Sequence, residues 1–172
     1  PTGSSQPAEA EAEAAPEPTL AGREDLRAIA FVTIDPADAR DHDDAVFAEP
    51  DSSPQNPDGW IIWVAIADVA AYVRPGSALD REAREKGNSV YFPDRVEPML
   101  PERLSNGLCS LREGENRACI AVRMVFDKAG RKLSHRFVRG LMRSAAKLSY
   151  DQVEKEVEGI FDDKAGTLMD GI

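Results

Sequence analysis

Runs of apolar residues between turn-forming segments predict a set of short strands. Residues 60–67 (WIIWVAIA) form a nearly continuous apolar run of strand length, which is typical of a strand buried on both faces. Residues 127–130 (DKAG) have the composition of a tight turn and predict a β-hairpin. The other predicted strands and turns are a buried strand at 30–34, an extended segment at 45–47, a turn-rich hairpin tip at 51–59, and hairpin arms at 118–126 and 132–141.

Three segments have the pattern of helices. Residues 77–86 start at a serine that can cap a helix and are followed by a glycine. Residues 149–159 carry Ser149 and Gln152 in the positions of a capping box. Residues 100–108 are a shorter candidate, with a proline that is acceptable in the first turn. Together with the strands, these segments predict an α+β fold in which helices flank a mixed, largely antiparallel sheet.

Composition divides the chain into two parts. Residues 1–22 are rich in Pro, Ala and Glu, contain four Glu and have no basic or aromatic residue. Such a segment buries too little apolar surface to offset the entropy lost on ordering, so we expect a disordered acidic lead-in. We expect residues 23–172 to form one domain. Because the sequence stops at 171–172 where another apolar segment starts, we expect this domain to be truncated.

Charge is distributed unevenly around this boundary. The net charge is −10, yet residues 112–147 carry ten Lys or Arg against three acidic residues. A basic region beside an acidic cluster suits an enzyme that holds a polyanion, although the same charges could equally solvate strand faces. Cys109 and Cys119 fit no CxxC metal motif, and neither a signal peptide nor a membrane span is indicated, so we expect a cytoplasmic protein with reduced thiols.

The segment with the clearest chemistry is the acidic stretch after the strand at 30–34. Five carboxylates, all aspartates, occur within ten residues: Asp35, Asp38, Asp41, Asp43 and Asp44. Like charges this close repel one another, and Mg²⁺ relieves that repulsion because it prefers oxygen ligands. A bound ion could polarise a scissile phosphate and activate water. Composition favours metal binding here but does not name the reaction.

Other interpretations of this acidic segment are weaker. A calcium-binding EF-hand loop starting at Asp35 would need Gly and Glu where the chain has Arg40 and Val46. A phosphatase with an aspartate nucleophile would place its Asp-x-Asp pair directly after the strand, whereas Asp41 and Asp43 come later. An acidic surface loop that binds no metal stays open as the alternative.

Three ordered motifs resemble the RNB catalytic domain of the ribonuclease II/ribonuclease R family of exoribonucleases. TIDPADARDHDDAV at 33–46 resembles the family's acidic signature, and the segments at 66–117 and 139–153 resemble the stretches that follow it. The match covers residues 23–158, the N-terminal part of that domain, and is closer to the bacterial ribonuclease R branch. The domain at 23–172 is therefore expected to be a partial RNB-type fold.

The resemblance implies Mg²⁺-dependent, processive 3′→5′ hydrolysis of RNA with release of 5′-mononucleotides. The partner would be the 3′ end of single-stranded RNA, with a link to the RNA-decay machinery and a monomeric parent protein. One or two Mg²⁺ ions, with Mn²⁺ as a substitute, would be held by four aspartates, of which Asp43 is the catalytic one: Asp35, Asp41, Asp43 and Asp44. His42 occupies a position that is often Phe in the family, and we interpret it as a spacer.

The same resemblance assigns roles to four further residues. Tyr91 matches a tyrosine that stacks near the 3′-terminal nucleotide, although a tyrosine in a strand is also a common core residue. Asp68 is expected to have a structural role, in which it orients the loop of aspartates without binding the metal itself. Arg112 and Arg117 are candidates for binding RNA phosphates, with pairing to neighbouring glutamates as the equal alternative.

The family's catalytic domain extends well beyond this match and supplies an arginine and an aromatic clamp that the chain lacks. Losing one partner of the transition-state charge typically costs about a hundredfold in rate. We therefore expect the chain alone to be weakly active or inactive. The alternative function is a non-catalytic RNA- or protein-binding remnant of the same fold. The presence of the four aspartates favours the nuclease over the remnant, because a remnant has no need of mutually repelling carboxylates.

Overall fold

The longest elements of the structure are the two strands of the hairpin predicted around residues 127–130. In the computed structural model, which describes residues 3–169, these strands pair antiparallel along their length, with one register shift near the turn. The elements in chain order are α1 (Gln6–Glu13), β1 (Glu24–Asp25), β2 (Val32–Asp35), β3 (Asp44–Pro50), β4 (Trp60–Ala67), a 3₁₀ turn (Val69–Ala71), α2 (Ala78–Lys86), β5 (Val90–Tyr91), β6 (Val96–Glu97), a π-helical turn (Arg103–Leu108), β7 (Asn116–Phe126), β8 (Lys132–Arg143), β9 (Ala146–Ser149), α3 (Tyr150–Val157) and α4 (Gly166–Met169).

Most of the strands belong to one sheet. Its strand order is β1-β8-β7-β4-β3-β2-β9, and β5 and β6 pair separately. The inner pairs β2–β3, β3–β4, β4–β7 and β7–β8 are antiparallel, whereas the edge strands β1 and β9 run parallel to their neighbours. The predicted α+β fold with a mixed, largely antiparallel sheet is therefore confirmed, as are both predicted hairpins.

One face of this sheet packs against α1, α2 and the π-helical turn. Phe31 and Trp63 meet edge to face near its centre, with ring centroids 6.4 Å apart. Fully burying an apolar side chain of this kind contributes about 1.5–3 kcal/mol. α2 begins as predicted, because the Ser77 hydroxyl accepts the N–H of Asp80. The larger buried side chains of this core include Leu26, Phe31, Trp63, Leu79, Leu104, Leu108, Leu111 and Met142.

The opposite face of the sheet is covered by described residues only near β2 and β9. There, Val32 and Leu148 pack beneath α3, which starts at the predicted Ser149 capping box. Toward β8 the face is open, with Phe137 73% exposed and Ile66 47% exposed. The prediction that 60–67 is buried on both faces is therefore wrong for the described residues, since alternate side chains of β4 stay accessible.

Part of the N-terminal segment is ordered, contrary to the expectation for residues 1–22. α1 lies against α2, with Ala8 and Ala12 fully buried. The Glu11 carboxylate accepts the first two N–H groups of α2, which satisfies donors that lack partners within that helix. Alanine and glutamate have high helix propensity, and alanine permits close helix packing. The disorder prediction rested on low apolar content and missed this packing.

The helix predicted at 100–108 is present as the shorter π-helical turn. Residues 1–2 and 170–172 lie outside the described part of the chain, and so does the predicted break at 171–172. No helix within residues 3–169 combines the length and apolar character needed to cross a membrane.

Candidate active site

The acidic segment forms the loop between β2 and β3, which we call the Asp loop (residues 36–43). Asp35 ends β2 and is 9% exposed, whereas Asp44 begins β3 and is exposed. β3 is anchored next to β4 by a hydrogen bond from the Ala67 N–H to the Asp43 carbonyl. The sheet therefore fixes both ends of the Asp loop, and the carboxylates gather at one end of adjacent strands.

His42 is a site residue whose contact the sequence did not predict. Its Nδ1 lies 2.6 Å from Oδ2 of Asp35, and both side chains are buried. Because a carboxylate only accepts hydrogen bonds, this contact requires the tautomer in which Nδ1–H donates the hydrogen bond to Asp35. The interpretation of His42 as a spacer is therefore incomplete, because the imidazole orients the most buried of the four aspartates.

Tyr91 lies beside the Asp loop. Its hydroxyl donates a short hydrogen bond to the Asp41 carboxylate. That hydrogen bond, then burial and the negative charges of Asp41 and Asp43, raise the pKa of Tyr91 to about 12, so the hydroxyl stays protonated. The residue is 64% exposed, so the alternative of a core tyrosine is not borne out and a ring face is available to a planar ligand.

Asp44 is affected by the carboxylates around it. Although the Asp44 residue is exposed by accessible surface, partial desolvation by neighbouring atoms raises its pKa, and the negative charges of Asp43 and Asp35 raise it further. Within residues 3–169, no Lys or Arg forms an ion pair with Asp41, Asp43 or Asp44. These oxygen donors crowd one another without a compensating cation from the protein.

The donor set has the chemistry of a site for a hard divalent cation. In the described part of the chain, no three acidic, His or Cys side chains already stand in a coordination arrangement. Asp35 is turned toward His42 and Asp41 toward Tyr91, while the carboxylates of Asp43 and Asp44 accept no hydrogen bond from another residue that the structure describes. Mg²⁺ fits such a set, because it uses few carboxylates and keeps several of its waters.

Asp68 lies behind the site rather than in it. Its side chain is 1% exposed and pairs with Arg23 at 2.8 Å and with Arg139 at 3.0 Å. Among described residues its carboxylate contacts none of the four aspartates, and its link to them runs through the backbone of Ala67 and Asp43. The predicted support of the Asp loop by Asp68 has no direct side-chain contact behind it in the described residues, and the connection between the two is the backbone at the end of β4.

The structure gives Arg117 a different role from the predicted phosphate contact. Its guanidinium is buried and donates to the carbonyls of Gly107, Ser110 and Asn116 at 2.8–3.0 Å, and it pairs with Glu115. All of these partners belong to its own chain, and the Arg117 side chain is only 5% exposed, so the guanidinium is not accessible to an RNA phosphate.

Arg112, in contrast, is half exposed and makes a loose pair with Glu115 at 3.5 Å. It lines an open cavity of about 630 Å³ beside the Asp loop, together with Arg40 and Lys147. Lys147 was not predicted as a site residue, and its ammonium donates to the carbonyls of Ala37 and Ala39.

Comparison with known proteins agrees with this combination of fold and site. The model of the RNB domain matches residues 23–168. The chain therefore belongs to the RNB domain family.

Individual relatives narrow the comparison. The chain is 51% identical over 147 residues to ribonuclease R of Vibrio parahaemolyticus, a match that covers 86% of this chain and 17% of that protein. The structure of Mycoplasma genitalium RNase R in complex with double-stranded RNA matches 99% of this chain and 30% of its own, with a TM-score of 0.89 and 34% identity. The chain thus spans about a sixth to a third of the length of these relatives.

A more distant structure shares the fold. Yeast Ssd1, described as a pseudonuclease, aligns with 83% of this chain and 18% of its own at a TM-score of 0.72 and 19% identity. At that identity the likeness extends to the fold alone.

Proposed function

We propose that this chain is the metal-binding part of the catalytic domain of a 3′→5′ exoribonuclease that hydrolyses RNA processively to 5′-mononucleotides. The observation that carries the proposal is the pair of carboxylates at Asp43 and Asp44, which form no ion pair with a described Lys or Arg, while the negative charges of Asp43 and Asp35 add to the raised pKa of Asp44. Membership in the RNB domain family and likeness to ribonuclease R support the reaction class.

Each proposed site residue has a distinct part in this chemistry. Asp35, Asp41, Asp43 and Asp44 would hold one or two Mg²⁺ ions, or Mn²⁺ in their place, and Asp43 is the catalytic carboxylate. A bound ion supplies Lewis-acid activation of the scissile phosphate and of water. His42 keeps the Asp35 carboxylate oriented toward the loop.

RNA would be held next to these carboxylates by Tyr91 and Arg112. The exposed face of Tyr91 stacks against a base near the 3′ end, an interaction worth about 1–3 kcal/mol that does not depend on sequence. The exposed Arg112 guanidinium offers charge-assisted hydrogen bonds to a phosphate. Structures of Mycoplasma genitalium RNase R with RNA support RNA as the ligand class.

The protein is proposed to act in the cytoplasm. Cys109 and Cys119 are free and buried, and burial, the largest cause, raises their pKa values to about 12 and about 11. Protonated thiols of this kind suit a reducing compartment.

The second candidate function is a non-catalytic binding remnant. It is favoured by one observation, the shared fold of the pseudonuclease Ssd1. Retention of all four aspartates argues against it. The catalytic arginine expected from the family lies outside this match, so we expect the chain alone to cleave RNA weakly or not at all, and the full-length parent to cleave it.

A gel assay on 5′-labelled oligo(A) with Mg²⁺ tests the proposal. The full-length parent should produce a ladder from the 3′ end, and Asp43→Asn should reduce the rate by roughly a hundredfold or more. Asp38→Asn is the matched control, because Asp38 is an exposed aspartate of the same loop that is not one of the four proposed metal ligands. No cleavage by the parent would favour the remnant, and cleavage at equal rates by the parent and Asp43→Asn would remove Asp43 from the catalytic role.

A further inference from the structure

The backbone of the Asp loop is held by one buried hydroxyl from a distant part of the chain. Ser110 is fully buried, and its Oγ accepts the N–H of His42 at 3.1 Å and donates to the carbonyl of Arg40 at 2.9 Å. The next residue adds a third bond, from the Leu111 N–H to the His42 carbonyl at 2.7 Å. These contacts lie on both sides of Asp41, so they define the course of the backbone through that residue.

Ser110 is itself held rigidly. Its carbonyl accepts Nε of the buried Arg117 at 2.8 Å, and its N–H donates to the Gly107 carbonyl at 3.0 Å. Arg117 belongs to β7, a central strand of the sheet. The sheet therefore supports Ser110, and Ser110 supports the Asp loop.

We propose that Ser110 is a positioning residue for the carboxylates of the Asp loop. The proposal rests on the proposed function, because positioning matters only if the carboxylates hold a cation. Between Asp35 and Asp44 the chain has no strand partner, and the Ser110 hydroxyl replaces the missing ladder at Arg40 and His42. Without it, the buried N–H of His42 and carbonyl of Arg40 lose a partner, and the backbone around Asp41 and Asp43 gains freedom.

Two substitutions separate hydrogen bonding from packing. Ser110→Ala removes the hydroxyl, and Ser110→Cys keeps a side chain of similar shape that is a weak hydrogen-bonding group. Ser105→Ala is the matched control, because the Ser105 hydroxyl is buried nearby and has no hydrogen-bond partner among the described residues. Binding of Mn²⁺ to the 172-residue chain is measured by electron paramagnetic resonance, and hydrogen exchange is measured at the His42 amide.

The expected result is that Ser110→Ala and Ser110→Cys both weaken Mn²⁺ binding by roughly tenfold or more, as loss of supporting hydrogen bonds does at metal sites. Both should also accelerate exchange at His42, and Ser105→Ala should change neither quantity. Unchanged Mn²⁺ affinity in Ser110→Ala, or loss of affinity in Ser110→Ala but not in Ser110→Cys, would overturn the proposal.

A failure of the proposed function gives a different result. If the unsubstituted chain and Asp43→Asn both fail to bind Mn²⁺, the metal assignment fails. In that case Ser110 can still be assessed by exchange at His42: acceleration in both Ser110 variants supports its hold on the loop, and unchanged exchange overturns it.

Discussion

Asp68 and the pair Asp43 and Asp44 lie at the same end of the sheet, and they differ in whether a basic side chain of the protein pairs with them. Asp68 is buried and is neutralised by two arginines, Arg23 and Arg139. Asp43 and Asp44, at the start of β3, have no basic partner among the described residues, and the pKa of Asp44 is raised by burial and by its acidic neighbours. Where the fold needs a carboxylate for structure, it supplies the counter-charge itself.

Glu82 gives a second example of a compensated carboxylate. Its burial favours the neutral form, yet hydrogen bonds from Ser5, Lys86 and Ser4 prevail and lower the pKa to about 2. The pKa of Asp44 moves in the opposite direction. A carboxylate that lacks a partner from the protein is a candidate for binding an external cation.

The largest loss of stability should come from removing Asp68, the buried aspartate that pairs with Arg23 and Arg139. Asp68→Ala leaves the guanidinium of Arg23, which is 10% exposed, without its buried partner, and should lower the free energy of unfolding by about 3–5 kcal/mol. Urea denaturation measures the change. Asp94→Asn is the control, because Asp94 forms an exposed pair with Arg95 that should be worth at most about 1 kcal/mol. Similar losses in both variants would contradict the distinction.

Substitutions of Tyr91 test whether RNA binds next to the unpaired aspartates Asp43 and Asp44. Tyr91→Ala should weaken binding of 5′-labelled oligo(A) to the full-length parent by about 1–3 kcal/mol, because a stacking ring is lost. Tyr91→Phe keeps the ring and removes only the hydrogen bond to Asp41, so it should retain most of the affinity. Fluorescence anisotropy separates the two. An unchanged affinity in Tyr91→Ala would remove Tyr91 from the RNA path.

The contribution of Glu82 to the free energy of unfolding should depend on pH. Because its pKa in the folded chain is about 2, below the ordinary 4.5, it contributes stability above pH 4.5 that is lost as the pH falls toward 2. Glu82→Gln should therefore lower the free energy of unfolding by about 1–2 kcal/mol at pH 7 and converge with the unsubstituted chain near pH 2. Urea midpoints at several pH values measure this, and a constant difference at every pH would contradict it.

The smallest expected change in the free energy of unfolding is a gain, and it comes from Asp44→Asn. Asp44→Asn removes a charge that its acidic neighbours oppose, so it should raise the free energy of unfolding of the metal-free chain by a few tenths of a kcal/mol. Replicate urea denaturation in the presence of a chelator detects such a gain. Destabilisation by Asp44→Asn under these conditions would mean that the carboxylate has a structural partner after all.

Local patterns allowed much of the fold to be predicted. The hairpin around 127–130 and the caps at Ser77 and Ser149 depend on residues close in sequence, and all three are present. The ordered helix α1 was missed because its stability comes from contacts of Ala8 and Ala12 with α2, far along the chain. Propensity over one segment carries no information about such packing.

The same limit applies to the candidate site. The spacing of the aspartates indicated the Asp loop, yet the partners of that loop come from elsewhere. Ser110 lies 68 residues from His42, and Tyr91 lies 50 residues from Asp41. Arg117 was a candidate for binding an RNA phosphate, with pairing to a neighbouring glutamate as the equal alternative, and in the structure it pairs with Glu115 and is buried against backbone carbonyls. Charge can be taken from the sequence, but the direction in which a side chain points depends on the folded chain.

The most direct test of the central claim is the effect of Mg²⁺ on the stability of this chain. Binding to the folded state alone raises the free energy of unfolding with ion concentration. We expect Mg²⁺ to raise the urea midpoint of the unsubstituted chain and of Asp38→Asn, and to have little effect on Asp43→Asn. An equal response of Asp43→Asn and Asp38→Asn, or no response of the unsubstituted chain, would contradict the claim that the uncompensated aspartates form a cation site.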